Sequence, residues 1–158
     1  ERAPYWNSNA RAVFFGLSIR HQRKHMFRAA LEGIVFSLYA VKNVLQEEQS
    51  DSPIHASGGL AKSGLWLQIL ADIFGRKVVV PKSVEASCLG AALVALRSAG
   101  HMKRWDEAKQ WAPAVREYEP DKANHARYAK LFAIYSRVAD TLQPHFRLIT
   151  EYQTSEHA

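Results

Sequence analysis

The chain has 158 residues, 47% hydrophobic and 23% charged, an ordinary globular balance that suits one domain able to bury a core without disulfides or a structural metal. Its single cysteine, Cys88, fits a reducing compartment, and it has no signal-peptide pattern and no apolar run of roughly 18 residues, so a cytoplasmic protein with no membrane partner is expected. The net charge of +6 would suit a polyanion, but the one dense basic cluster, residues 20–25, lacks interleaved aromatics, so no nucleic-acid partner is expected.

Glu1, Arg2, Ala3 and Pro4 open the chain without a methionine, which reads as a cut through a longer protein. Pro4, Asn7, Ser8 and Asn9 carry loop chemistry. Val13, Phe14, Phe15, Leu17 and Ile19 form a run of β-formers and predict a strand. Phe27, Leu31, Ile34, Leu38, Val41 and Leu45 recur at helical spacing. They predict an amphipathic helix of about 25 residues, wide enough in its apolar face to be largely buried. Gly33 interrupts it at a cost of about 1 kcal/mol relative to Ala, which points to the close approach of another backbone or helix. The helix is expected to fray over residues 46–49.

Residues 53–57 predict a short strand that runs directly into Gly58 and Gly59. Leu65, Trp66, Ile69, Leu70, Ile73 and Phe74 give a second helical stripe, with Gly75 as its stop. Val78, Val79 and Val80 predict a strand closed by Pro81. Residues 88–96 predict a third helix, with Cys88 packed inside, Ala91 and Ala92 small for tight packing, and Gly100 just beyond its end. Residues 105–111 read as a short helical connector. A last long helix starts at Pro120, Asp121 and Lys122 and carries Tyr128, Leu131, Phe132, Tyr135, Val138 and Leu142 on its stripe. Pro144 should end or kink it, and residues 153–158 should fray. The alternation predicts an α/β fold, with a partly parallel sheet of three strands and a helical tail over residues 104–158.

The junction Ser57, Gly58, Gly59, Leu60, Ala61, Lys62, Ser63 is the most informative local feature. Glycines let a ligand approach the backbone closely. A helix N-terminus adds unpaired N–H groups and partial positive charge. Together they suit a phosphate or a flat nucleotide ring, with Lys62 adding charge and Ser63 capping the helix or touching the ligand. The spacing is neither a Walker loop nor a dinucleotide fingerprint. The plain alternative is a tight turn with Ser63 as an ordinary cap.

The segment before it supplies context. Ala12, Phe14, Gly16 and Leu17 are followed, after a gap, by His25 and Met26 and then by Ala29, Ala30, Leu31 and Glu32. This pattern resembles the second signature of the FGGY carbohydrate kinases at every defined position. Arg2, Ala3, Pro4, Tyr5, Trp6 and Asn7 resemble the family's preceding loop. Residues 58–63, with Trp66 to Asp72, resemble its adenosine-binding turn and helix. Residues 85–92 resemble its last glycine-bearing helix. The likeness is strong over residues 1–100 and looser in the tail. It is greatest to the gluconokinases, and xylulokinases share much of it.

The resemblance implies part of an actin-like, ribonuclease H-like ATPase domain: the C-terminal, ATP-binding side, incomplete at its N-terminus, over residues 1–158. It implies transfer of the γ-phosphoryl of Mg-ATP to a sugar or sugar acid, with ATP and Mg2+ as cofactors and the rest of the parent kinase chain as partner. Gly58 and Gly59 would lie against adenosine, with Lys62 and Ser63 beside them. Relatives often carry asparagine where Ser63 stands. The catalytic base and the phosphate-binding Gly-Thr turn would lie upstream, so the chain holds no catalytic residue and should be inactive alone. A complete domain of this kind has more strands than those predicted here. An exposed sheet edge is therefore expected at the opening strand, covered by self-association or by the parent chain.

Other residues have plain readings. Glu32 suits a hydrogen-bonded acid holding a neighbouring segment. His21, His25 and His55 suit the surface and no metal ligand set. Trp66, Trp105 and Trp111 suit core or helix docking, and Trp6 suits either lining a cleft or pinning its loop. Two other classes remain: a non-catalytic nucleotide-binding module on the same scaffold, and a basic nucleic-acid binder supported by charge alone.

Overall fold

The computed structural model describes residues 5–44, 52–82, 85–111 and 113–155. Arg2 to Pro4 of the opening loop, and the fraying expected over residues 46–49 and 156–158, lie outside the described residues. The chain divides into two compact units, residues 51–125 and residues 1–50 with 126–158.

The unit of residues 51–125 holds a three-stranded sheet in the order β1 (Ile54–His55), β2 (Val78–Pro81), β3 (Ala114–Tyr118). β1 runs parallel to β2, and β3 antiparallel to it, with Val78 opposite Tyr118 and Val80 opposite Arg116. The mixed α/β sheet predicted from alternation is present. β2 is buried along its whole length, as its β-branched run requires. Helix α2 (Gly64–Phe74) supplies the rest of the core through Leu67, Ile69, Leu70 and Ile73. Ser63 caps its start, and Gly75 ends it in the left-handed region at φ 62°.

Helix α3 (Ala86–Ser98) buries no residue. The packed interior expected for Cys88, Ala91 and Ala92 is not observed, and all three are exposed. The half-buried residues are Leu89, Leu93 and Leu96, a single stripe at spacings of four and three. Cys88, Ala91 and Ala92 fall off that stripe. The connector forms as 3-10 turns over Trp105–Gln110. Trp105 and Trp111 are 53% and 40% exposed rather than docked; the Arg97 guanidinium lies 4.8 Å from the Trp105 ring.

The unit of residues 1–50 and 126–158 is built on α1 (Arg23–Val44) and on α4 (Lys122–Ser155) beyond its first turn. Phe36 meets Tyr128, Phe132 and Tyr135 at ring-centroid distances of 6.0, 5.6 and 5.2 Å. Glu32 accepts from Arg28 Nε at 2.7 Å and from the Tyr128 hydroxyl at 2.8 Å, the bonded acid expected there. The opening loop is held by Tyr5 donating to Asp140 at 3.0 Å and Asn7 donating to Gln143 at 2.9 Å. Trp6, a candidate to pin that loop, is 75% exposed.

Several expectations fail in this unit. Residues 13–19 form no strand. Val13, Phe15 and Ile19 are 50%, 73% and 102% exposed, and a β-rich run without a paired neighbour cannot complete a ladder. The sheet edge expected there is therefore not formed. α1 is not largely buried: Val35 and Phe36 are, but Phe27, Ile34 and Leu38 remain 60%, 47% and 47% exposed. Among the described residues, apart from the helix's own backbone, no atom lies within 4 Å of a Cβ built on Gly33, so the close approach expected there is not observed. Pro144 lies inside α4, which runs on to Ser155, so of the two outcomes expected there the helix end does not occur. The proline removes one hydrogen bond to the preceding turn, while buried Phe146 anchors the next.

Candidate functional site

The glycine turn lies within the unit of residues 51–125. After β1, Ala56 is buried and its N–H bonds to the Val79 carbonyl at 2.9 Å, so the chain leaves the sheet edge in a fixed direction. Gly58 then takes φ +70°, a conformation that L side chains rarely adopt. Residues Gly58–Lys62 form a 3-10 turn, and the α-helix starts only at Gly64. The helix start agrees with Ser63 as its cap and a stripe beginning at Leu65; the 3-10 turn before it is an added element.

The four predicted site residues cluster on this turn. Gly58, Gly59 and Lys62 are exposed and Ser63 is half-buried. A Cβ built on Gly58 or Gly59 meets nothing within 4 Å, so the backbone of both faces open space. Ser63 Oγ accepts from the Trp66 N–H at 3.3 Å. The plain cap reading of Ser63 is therefore correct as far as it goes. Capping uses an oxygen lone pair and leaves the hydroxyl proton able to donate elsewhere.

Beneath the turn, Ala61 is fully buried, and its carbonyl accepts from Arg116 Nη2 on β3. Tyr118, two residues further along β3, sits with its hydroxyl 3.2 Å from where a Gly64 Cβ would stand. Sequence patterning points to neither residue: it predicts a helical tail over residues 104–158, within which β3 forms instead. The available signal is a pair of β-formers, Val115 and Tyr118, in a short run bounded by Pro113 and Pro120.

A buried polar knot lies at the far end of α2. Asp72, 2% exposed, accepts from Gln68 Nε2 at 2.8 Å, Asp121 N at 2.9 Å and Asn124 Nδ2 at 3.0 Å. It ties α2 to the start of α4. His21, His25 and His55 are exposed, and no group of three His, Cys, Asp or Glu able to hold a metal occurs among the described residues. No described helix is long and apolar enough to cross a membrane.

The model of the FGGY family of carbohydrate kinases, C-terminal domain, matches residues 1–99. The chain belongs to this family. A gluconokinase from Bacillus licheniformis is 39% identical over 158 residues, covering 98% of this chain and 31% of that protein. The crystal structure of a gluconate kinase from Lactobacillus acidophilus superposes with TM-score 0.86 at 34% identity, over 94% of this chain and 30% of the other. A ligand-bound xylulose kinase from the same organism gives TM-score 0.82 at 36% identity, over 89% and 29%. The FGGY chain thus spans about a third of the length of the relatives it matches.

Proposed function

We propose that the protein carrying this chain is an ATP-dependent carbohydrate kinase acting on gluconate in the cytoplasm. In this reading Gly58, Gly59, Lys62 and Ser63 hold the adenosine end of ATP. The observation that carries it is the open backbone at Gly58 and Gly59 in a chain of the FGGY family. A flat ring can lie on a peptide surface only where no side chain stands in the way.

Each residue then has a role. Gly59 presents its peptide plane to the adenine, and Gly58 supplies the positive φ that turns the chain toward it. Ser63 donates its hydroxyl proton to a ring nitrogen while still capping α2. Lys62, exposed on the turn, adds positive charge beside the nucleotide. Mg2+ would arrive with the nucleotide phosphates, and no residue of this chain is assigned to it. In the reaction the γ-phosphoryl moves from ATP to a gluconate hydroxyl oxygen, giving 6-phosphogluconate and ADP. The hydroxyl proton passes to a base outside this chain.

Gluconate is favoured because the gluconokinase likeness extends over 98% of this chain. The xylulose kinase likeness, with TM-score 0.82, makes xylulose the second substrate. The test is a coupled ADP-release assay on the parent protein with each sugar. A higher kcat/KM for gluconate is expected; a preference for xylulose would move the assignment, and turnover of neither would overturn it.

A further inference from the structure

The glycine turn is closed by a backbone bond, from the Ser63 N–H to the Leu60 carbonyl at 3.2 Å. Its glycines contribute no side chains, and Ser57, at its start, makes no side-chain cap hydrogen bond. Among the side-chain contacts to the turn and to Gly64 just beyond it, two come from β3. Arg116 donates from Nη2 to the carbonyl of Ala61, and Tyr118 packs over Gly64. Residues two apart on a strand share a face, so Arg116 and Tyr118 project together toward the turn. Glu117, between them, faces the other way and pairs with Lys77 at 3.1 Å.

β3 is itself fixed at both ends. Its pairing with β2 places Arg116 opposite Val80 and Tyr118 opposite Val78. Gln68 of α2 donates to the Glu119 carbonyl at 2.9 Å. An irregularity in the ladder between Val80 and Pro81 lies next to Arg116, a place where strands re-aim side chains.

We infer that Arg116 is a positioning residue for nucleotide binding: from β3 it holds the Ala61 carbonyl, and so keeps the Gly58 and Gly59 backbone set for the ligand. This rests on the adenosine-site reading of the turn. Arg116 does not touch the nucleotide; it acts through the turn. One donor to one carbonyl is a contact that a lysine ammonium also makes, which gives the inference a conservative control.

The test compares the wild-type chain with Arg116→Met and Arg116→Lys. Two measurements are made: amide resonances of residues 58–63 without ligand, and calorimetric titration with Mg-ADP. The expected result is shifted turn amides and about tenfold weaker ADP binding in Arg116→Met, with both restored at least in part by Arg116→Lys and Tm nearly unchanged. Unmoved turn amides in Arg116→Met would overturn the inference, as would unchanged affinity or a lysine variant no better than methionine. If the wild-type chain binds no ADP while Arg116→Met still shifts the turn amides, the adenosine reading fails. The role in nucleotide binding then falls with it, and only the structural contact stands.

Discussion

Asp72 accepts the backbone N–H of Asp121 at 2.9 Å from a position only 2% exposed, so one core side chain orders the approach to α4. Its second oxygen takes Asn124 Nδ2, and its own carbonyl is 2.8 Å from His125 Nδ1. Asp72→Ala strands several donors at once. A loss of about 2–4 kcal/mol is expected from the urea midpoint, with a smaller loss for Asp72→Asn, which keeps the shape and one acceptor.

Gly75 tests the same corner from the other side. It sits at φ +62°, and a Cβ there would lie 2.7 Å from His125 Cε1. Gly75→Ala therefore meets backbone strain and a ring at once, and about 1–3 kcal/mol of destabilisation is expected. A double-mutant cycle with His125→Ala separates the terms: the steric part is recovered and the backbone part is not.

The Trp66 indole N–H is buried without an acceptor among the described residues. A buried donor left unpaired costs roughly 1–3 kcal/mol. Trp66→Phe removes the donor and keeps most of the ring, so Tm should hold or rise. A marked fall in Tm would show that the indole is bonded in solution.

Alkaline pH probes the α1/α4 unit. Burial, with the hydrogen bond to Asp140 adding to it, lifts the Tyr5 phenol from 10.0 to about 12; burial also raises Tyr128 and Tyr135. Unfolded tyrosines ionise first, near pH 10, so the unfolded chain then holds fewer protons than the folded one. The stability from these groups is complete below about pH 10 and falls as pH rises toward about 12. Denaturant midpoints across this range should show the decline, and Tyr5→Phe should shallow it.

What could be read from the sequence was local. The cap at Ser63, the stop at Gly75, the β2 run and the start of α4 each depend on a few neighbouring residues, and each stands where expected. The failures depend on partners. Residues 13–19 have β-forming side chains, and no strand among the described residues pairs with them. β3 has the opposite character: Arg116 and Glu117 make it look like a loop, yet pairing with the buried β2 makes it a strand. Cys88 looks like a core residue by type and misses the leucine stripe by one position. At the site, the glycines were legible because open backbone is written as glycine. Arg116 was not, because its partner is a carbonyl 55 residues away in sequence.

The Gly58–Gly59 turn, as proposed, holds adenosine. The most direct measurement is calorimetric titration of the chain with Mg-ADP, repeated with Gly59→Val. A Cβ at Gly59 meets nothing within 4 Å, so the valine should leave the fold intact while filling the space a ring would use. Saturable binding by the wild type, weakened at least about tenfold in the variant at unchanged Tm, is the predicted result. Equal binding by both chains, or no binding by a wild-type chain shown to be folded, would contradict it.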